Sequence, residues 1–180
     1  DKGTDAGAVY VFDFDGANWI QSAKLTASDG TTNDQFGLSV SLTHDRLVAG
    51  AYRDDDNGFD SGSAYVYEYN GVAWTETAKL LASDGASTDS FGSAVFVENN
   101  RILIGASQND DAGNNSGSAY VFDYDGTNWV QITKLLAADA QTADNFGTAL
   151  ALSGDRAVVG SYLEDTNGPE SGAAYGFDFD

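Results

Sequence analysis

Apolar residues alternate with polar ones through Phe36-Gly37-Leu38-Ser39-Val40-Ser41-Leu42, the period of a β-strand. Thr43-His44-Asp45 reads as a tight turn. Arg46 to Ala51 then runs apolar on both faces, so this second strand is expected to be buried on both sides. An acidic loop leads to a third strand, Gly62 to Tyr69. Tyr65, Tyr67 and Tyr69 share one face of it; Ala64, Val66 and Glu68 share the other. Asn70-Gly71 is a strong hairpin signal, and a fourth strand is predicted from about Trp74 to Leu80. No stretch carries the i, i+3, i+4 spacing of an amphipathic helix over several turns. The expected class is all-β.

The same text recurs every 55 residues without a gap. Phe36-Gly37, Phe91-Gly92 and Phe146-Gly147 fall in register, as do Trp19, Trp74 and Trp129. Lys24, Lys79 and Lys134 keep the spacing, and so do Arg46, Arg101 and Arg156. A fixed period of this size, with four strands per unit, predicts tandem four-stranded blades of β-propeller type. Residues 1–180 read as one repeat domain. Within it lie units at 6–60, 61–115 and 116–170, and a partial fourth at 171–180. A sheet with two apolar faces needs cover on both, which stacked copies supply. Three units are fewer than the usual propeller holds, and Ala6 to Asp15 and Ser171 to Asp180 are the same strand of the repeat. Two arrangements are open: an excerpt of a longer array, or chains that join their free ends into a ring or filament.

Charge narrows the partners. Twenty-eight acidic residues stand against 8 basic ones, a formal net charge of −20. Such a surface disfavours nucleic acid and anionic membranes. No apolar run reaches the ~18 residues of a membrane span, so no membrane insertion is expected. The sequence shows neither an initiator Met nor a signal peptide, and reads as a mature form or an excerpt. With no Cys and His44 as the single His, serine–histidine and thiolate catalysis are effectively excluded.

The acidic loops after the second strand are the candidate metal sites. They offer Asp54, Asp55, Asp56 and Asp60 in one unit, Asp110 and Asp111 in the next, and Glu164 and Asp165 in the third. Calcium takes oxygen ligands of this kind, although a solvated turn accounts for the same residues. Asp34, Asp89 and Asp144, each two residues before Phe, suit turn-capping hydrogen bonds. The three Trp are either sugar-stacking platforms or packing between blades. Six of the eight basic residues are fixed by the repeat, which suits structural ion pairs.

Taken together, Lys24-Leu25, Ala27-Ser28-Asp29-Gly30, Asp34-Gln35-Phe36-Gly37, Val48-Ala49-Gly50-Ala51 and Ser61 to Val66 resemble the bacterial FG-GAP repeat, related to the propeller of integrin α subunits. Tyr52, Ser107 and Tyr162 stand where that family's eponymous Pro is expected. The integrin calcium loop joins the first and second strands, but here that link is a short hairpin such as Val97 to Arg101. The integrin calcium ligands therefore do not carry over. The resemblance implies a non-catalytic, extracellular or cell-surface module for adhesion, binding a protein or a glycan. Two alternatives stand beside it: a subunit that assembles head-to-tail with copies of itself into a layer or filament, and a carboxylate-dependent glycoside hydrolase.

Overall fold

The computed structural model describes residues 2–179. Its described strands are β1 (Val9–Phe14), β2 (Trp19–Leu25), β3 (Val40–Leu42), β4 (Arg46–Ala51), β5 (Ser63–Tyr69), β6 (Trp74–Leu80), β7 (Phe91–Glu98), β8 (Arg101–Ala106), β9 (Ser118–Tyr124), β10 (Trp129–Leu135), β11 (Phe146–Ser153), β12 (Arg156–Ser161) and β13 (Ala173–Asp178). No helix occurs among the described residues. Neighbouring strands are antiparallel and ordered as in the sequence. β3-β4-β5-β6 and β7-β8-β9-β10 form complete four-stranded blades, β11-β12-β13 a three-stranded sheet and β1-β2 a two-stranded one.

The blades stack face to face. One core joins Val48, Ala64 and Val66 of the first complete blade to Phe91, Ile102, Ile104 and Tyr120 of the second. Another joins Val9, Val11 and Leu25 to Leu47, Tyr65 and Tyr67, and a third joins Leu103 and Val121 to Phe146 and Val159. Each seam is also stitched by backbone. Gly62 bridges Phe91, and Gly117 bridges Phe146, in parallel register. Gly50 lies so near the next blade that a Cβ there would sit 1.9 Å from the Gly92 carbonyl oxygen. Only a residue without a side chain permits that approach.

Burial follows stacking rather than residue type. Val48 and Leu103 are fully buried, whereas Val158, the same position one repeat on, is 40% exposed. Tyr65 and Tyr120 are fully buried, whereas the equivalent Tyr10 is 50% exposed. The difference is a missing neighbour, not a different residue. It also accounts for the first strand of the first unit. The alternating pattern predicts that strand from Phe36, but β3 spans only Val40–Leu42, and Phe36 makes just an isolated bridge to Gly7. The sheet that precedes it is the two-stranded one, so Val40 and Leu42 are more than half exposed.

Candidate functional site

Two features recur at the first two of the three seams. The first is a cage around a lysine ammonium. β6 and β5 are paired with Lys79 opposite Tyr65. This register sets Nζ 5.2 Å from the centre of the Tyr65 ring. Nζ contacts Asp29 at 2.8 Å, Asp54 at 3.0 Å and Asp56 at 2.7 Å. The Tyr65 hydroxyl donates to Asp29 and Asp54. One repeat later Lys134 stands over Tyr120 and pairs with Asp84 and Asp111. Burial opposes the charged forms of Asp29 and Asp84, but the lysine and tyrosine donors outweigh it and hold both below the usual carboxylate range. Burial likewise opposes the charged lysines, yet their carboxylate partners hold Lys79 and Lys134 well above the usual amine value. The tyrosine hydroxyls are pushed far up, first by burial.

The proposed calcium residues divide among several tasks. Asp54 and Asp56 belong to the Lys79 cage and Asp111 to that of Lys134. Asp55, Asp110 and Asp165 each accept from the backbone N–H five residues on, at Asp60, Asn115 and Glu170, and so pin the loop. Asp60 itself takes a left-handed backbone, φ 51°. Glu164 is buried; one carboxylate oxygen accepts from Thr166 N–H and the other, Oε2, has no partner. Among the described residues no three acidic or histidine side chains converge as a metal cluster. In the first two loops a lysine ammonium stands among the carboxylates as a counter-ion. Asp34, Asp89 and Asp144 accept from the backbone N–H three residues before them and fix the turn ahead of Phe-Gly.

The second feature is a cleft at the outer rim. Tyr69 and Trp74 sit 5.3 Å apart, centre to centre, as do Tyr124 and Trp129. Each pair faces the preceding sheet across a gap of about 270–300 Å³, closed by Asp13 and Lys24 in one case and Glu68 and Lys79 in the other. Arg46 lies 4.9 Å from the centre of the Trp129 ring and is held by Glu68 at 2.8 Å. Trp74 and Trp129 are partly buried against the cores, while Trp19 is exposed. Sequence reasoning did not single out these tyrosines as rim residues. It also missed Glu76, which clamps the neighbouring sheet by accepting from Ser28 N–H and Ser28 Oγ. The available signal was the constant step from Tyr69 to Trp74 and from Tyr124 to Trp129.

The cages have a measurable consequence. Lys79→Ala leaves the buried Asp54 without its cation, and we expect a loss of about 1–3 kcal/mol, below the fully buried case because Asp29 and Asp56 are half exposed. Folded-state pKa values below the unfolded ones mean that Asp29 and Asp84 stabilise above about pH 4 and lose this as pH falls through their lower folded values. The raised lysines stabilise fully below about pH 10.5 and lose this only above it. Unfolding free energy should therefore plateau between these limits, and Lys79→Ala should flatten its acid limb. Urea titrations across pH check both; an unchanged acid limb would reject the cage as a source of stability.

A family model described as FG-GAP repeat matches the chain three times, at residues 19–67, 74–122 and 129–177. No curated protein matches it. Each matched unit begins with the outer strand of one sheet and ends in the third strand of the next, so it straddles a seam and contains one lysine with the acidic and tyrosine positions of that unit. On these three matches, which cover most of its length, the chain belongs to the FG-GAP repeat family.

Proposed function

We propose that the chain is a non-catalytic extracellular binding module that engages an extended, uncharged or cationic glycan along its outer rim. The carrying observation is the pair of equivalent Tyr–Trp clefts one repeat apart, at Tyr69–Trp74 and Tyr124–Trp129. Aromatic faces beside carboxylates suit sugar rings, and equal spacing suits a ligand that is itself periodic. The net charge of −20 disfavours anionic ligands. The acidic loops hold lysines and backbone amides, which favours binding over hydrolysis. FG-GAP repeats typically occur in extracellular proteins, in keeping with this role.

The test is a glycan array followed by calorimetry on any hit. Trp129→Ala and Trp74→Ala should each weaken binding at least about tenfold, the scale of one lost stacking contact, with the fold intact by circular dichroism. A hit whose affinity ignores both substitutions, or an array with no hit, would count against the rim as the binding surface.

A further inference from the structure

Three Asn-Gly dipeptides occur in the chain, at Asn57-Gly58, Asn70-Gly71 and Asn167-Gly168. A backbone amide attacks the preceding side-chain amide most easily at this pair, because glycine has no side chain to block the approach. The attack needs a free glycine N–H. Gly58 N–H donates to the Asp55 carbonyl at 3.0 Å, and Gly168 N–H to that of Asp165 at 2.9 Å. Asn57 is held further, its Nδ2 donating to the Ala82 carbonyl at 3.2 Å. Gly71 N–H has no acceptor among the described residues. Asn70, Gly71, Val72 and Ala73 are all exposed, so water reaches this turn.

The turn also favours the reaction itself. Asn70 Oδ1 accepts from Val72 N–H and Ala73 N–H, both at 2.9 Å. Negative charge gathers on this oxygen as Gly71 N adds to Cγ, and two fixed donors already point at it. The product fits the same frame. Asp15 and Asp125 hold the equivalent place in the neighbouring repeats, and Gly16, Gly71 and Gly126 follow with φ of 102°, 91° and 99°. Asp15 Oδ1 accepts from the N–H groups of Ala17 and Asn18 at 2.8 and 2.7 Å. Asp125 Oδ1 accepts from those of Thr127 and Asn128 at the same distances. These bonds, Asn18 and Asn128 foremost, hold both carboxyl groups below the usual carboxylate range. A carboxylate is thus a stronger partner for this turn than an amide.

We propose that Asn70 is a site of spontaneous deamidation, where the turn converts an amide into the carboxylate that the other two repeats encode. Gly71 N bonds to Asn70 Cγ and the Cγ–Nδ2 bond breaks. The side-chain nitrogen leaves as ammonia, taking the Gly71 N–H proton, and a five-membered imide remains. Water opens the imide at Cγ, which restores the ordinary backbone with a carboxyl group. Opening at the Asn70 main-chain carbonyl carbon instead routes the chain through Cβ. Val72 and Ala73 of this turn line the cleft beside Trp74, together with Asp13 and Lys24. The reaction therefore adds one negative charge at the edge of that cleft. It then matches the Tyr124–Trp129 cleft, which is lined by Thr127 and Asn128 of the Asp125 turn.

Long incubation of the folded chain in mildly alkaline buffer, followed by peptide mapping in the mass spectrometer, reads each Asn-Gly separately. Asn70 should react at least about tenfold faster than Asn57 and Asn167, the factor that one hydrogen bond adds to a barrier. In concentrated urea the three rates should converge, because only the dipeptide is then left. Asp125→Asn places an amide in the equivalent turn and should deamidate as fast as Asn70 does, restoring the aspartate. Asn70→Asp, the product made directly, should melt no lower than wild type; a clear loss would mean that the turn rejects the carboxylate. Reaction at Asn70 no faster than at Asn57 or Asn167, or an inert Asp125→Asn variant, would overturn the proposal. The readout needs no ligand, so a glycan array without hits leaves its result unchanged.

Discussion

Phe91→Ala is expected to destabilise the protein by about 3–5 kcal/mol, the range for emptying a buried aromatic site. Phe91 is fully buried at the seam between two complete blades, within the core formed by Val48, Ala64 and Val66 on one side and Ile102, Ile104 and Tyr120 on the other. Its ring meets Tyr120 edge-on at 5.3 Å and Phe122 at 6.1 Å, contacts that add to the area removed from water. Neither blade can refill the space, because their backbones are tied where Phe91 N–H donates to the Ser61 carbonyl at 2.9 Å. Phe59→Ala, at an exposed loop position, is the matched control and should cost less than about 0.5 kcal/mol. Urea denaturation gives both values. Hydrogen exchange should show the loss on both sides of the seam, as nearest-neighbour coupling requires. Equal effects at Phe91 and Phe59 would mean that stacking is not what holds the blades.

The strands were legible because each has its own local signature. β4 and β8 read as apolar on both faces and are buried on both; β5 and β9 read as aromatic on one face, and those rings fill the seam with the preceding sheet. The hairpin at Asn70-Gly71 needed only a dipeptide, and Gly71 does take a positive φ of 91°. What escaped the sequence is what depends on partners far along the chain. Lys79 meets Asp29, 50 residues away, and Ser28 meets Glu76, 48 residues away. Nothing local marks such a pair. The repeat did carry a clue: a lysine and an aspartate recur at one fixed separation, Asp29 to Lys79 and Asp84 to Lys134. Exposure at the ends escaped for the same reason. Val158 has the same apolar character as Val48, and only the absence of a neighbouring blade tells them apart.

Gly105→Ala should be among the most damaging single substitutions, at about 3 kcal/mol or more, because it forces apart two packed sheets rather than emptying a site. A Cβ at Gly105 would stand 1.9 Å from the Gly147 carbonyl oxygen, and the obstacle is backbone of β11, which no rotamer change can clear. Separating the sheets enough to admit a methyl group would also pull Phe146 from the core it shares with Leu103 and Val121. The same substitution at Gly160 supplies an internal control. Its sequence position is identical, its backbone needs no left-handed φ, and its nearest obstacle is a side-chain methyl at 3.1 Å. Gly160→Ala should change stability by less than about 1 kcal/mol, the ordinary scale for a position with room to adjust. Thermal and urea melts of both variants give the comparison. If the two substitutions cost the same, the glycine recurs for some reason other than blade-to-blade approach, and the seam geometry described here is wrong. If only Gly105→Ala collapses the fold, the repeat keeps glycine at this point because the neighbouring sheet leaves no space for anything else.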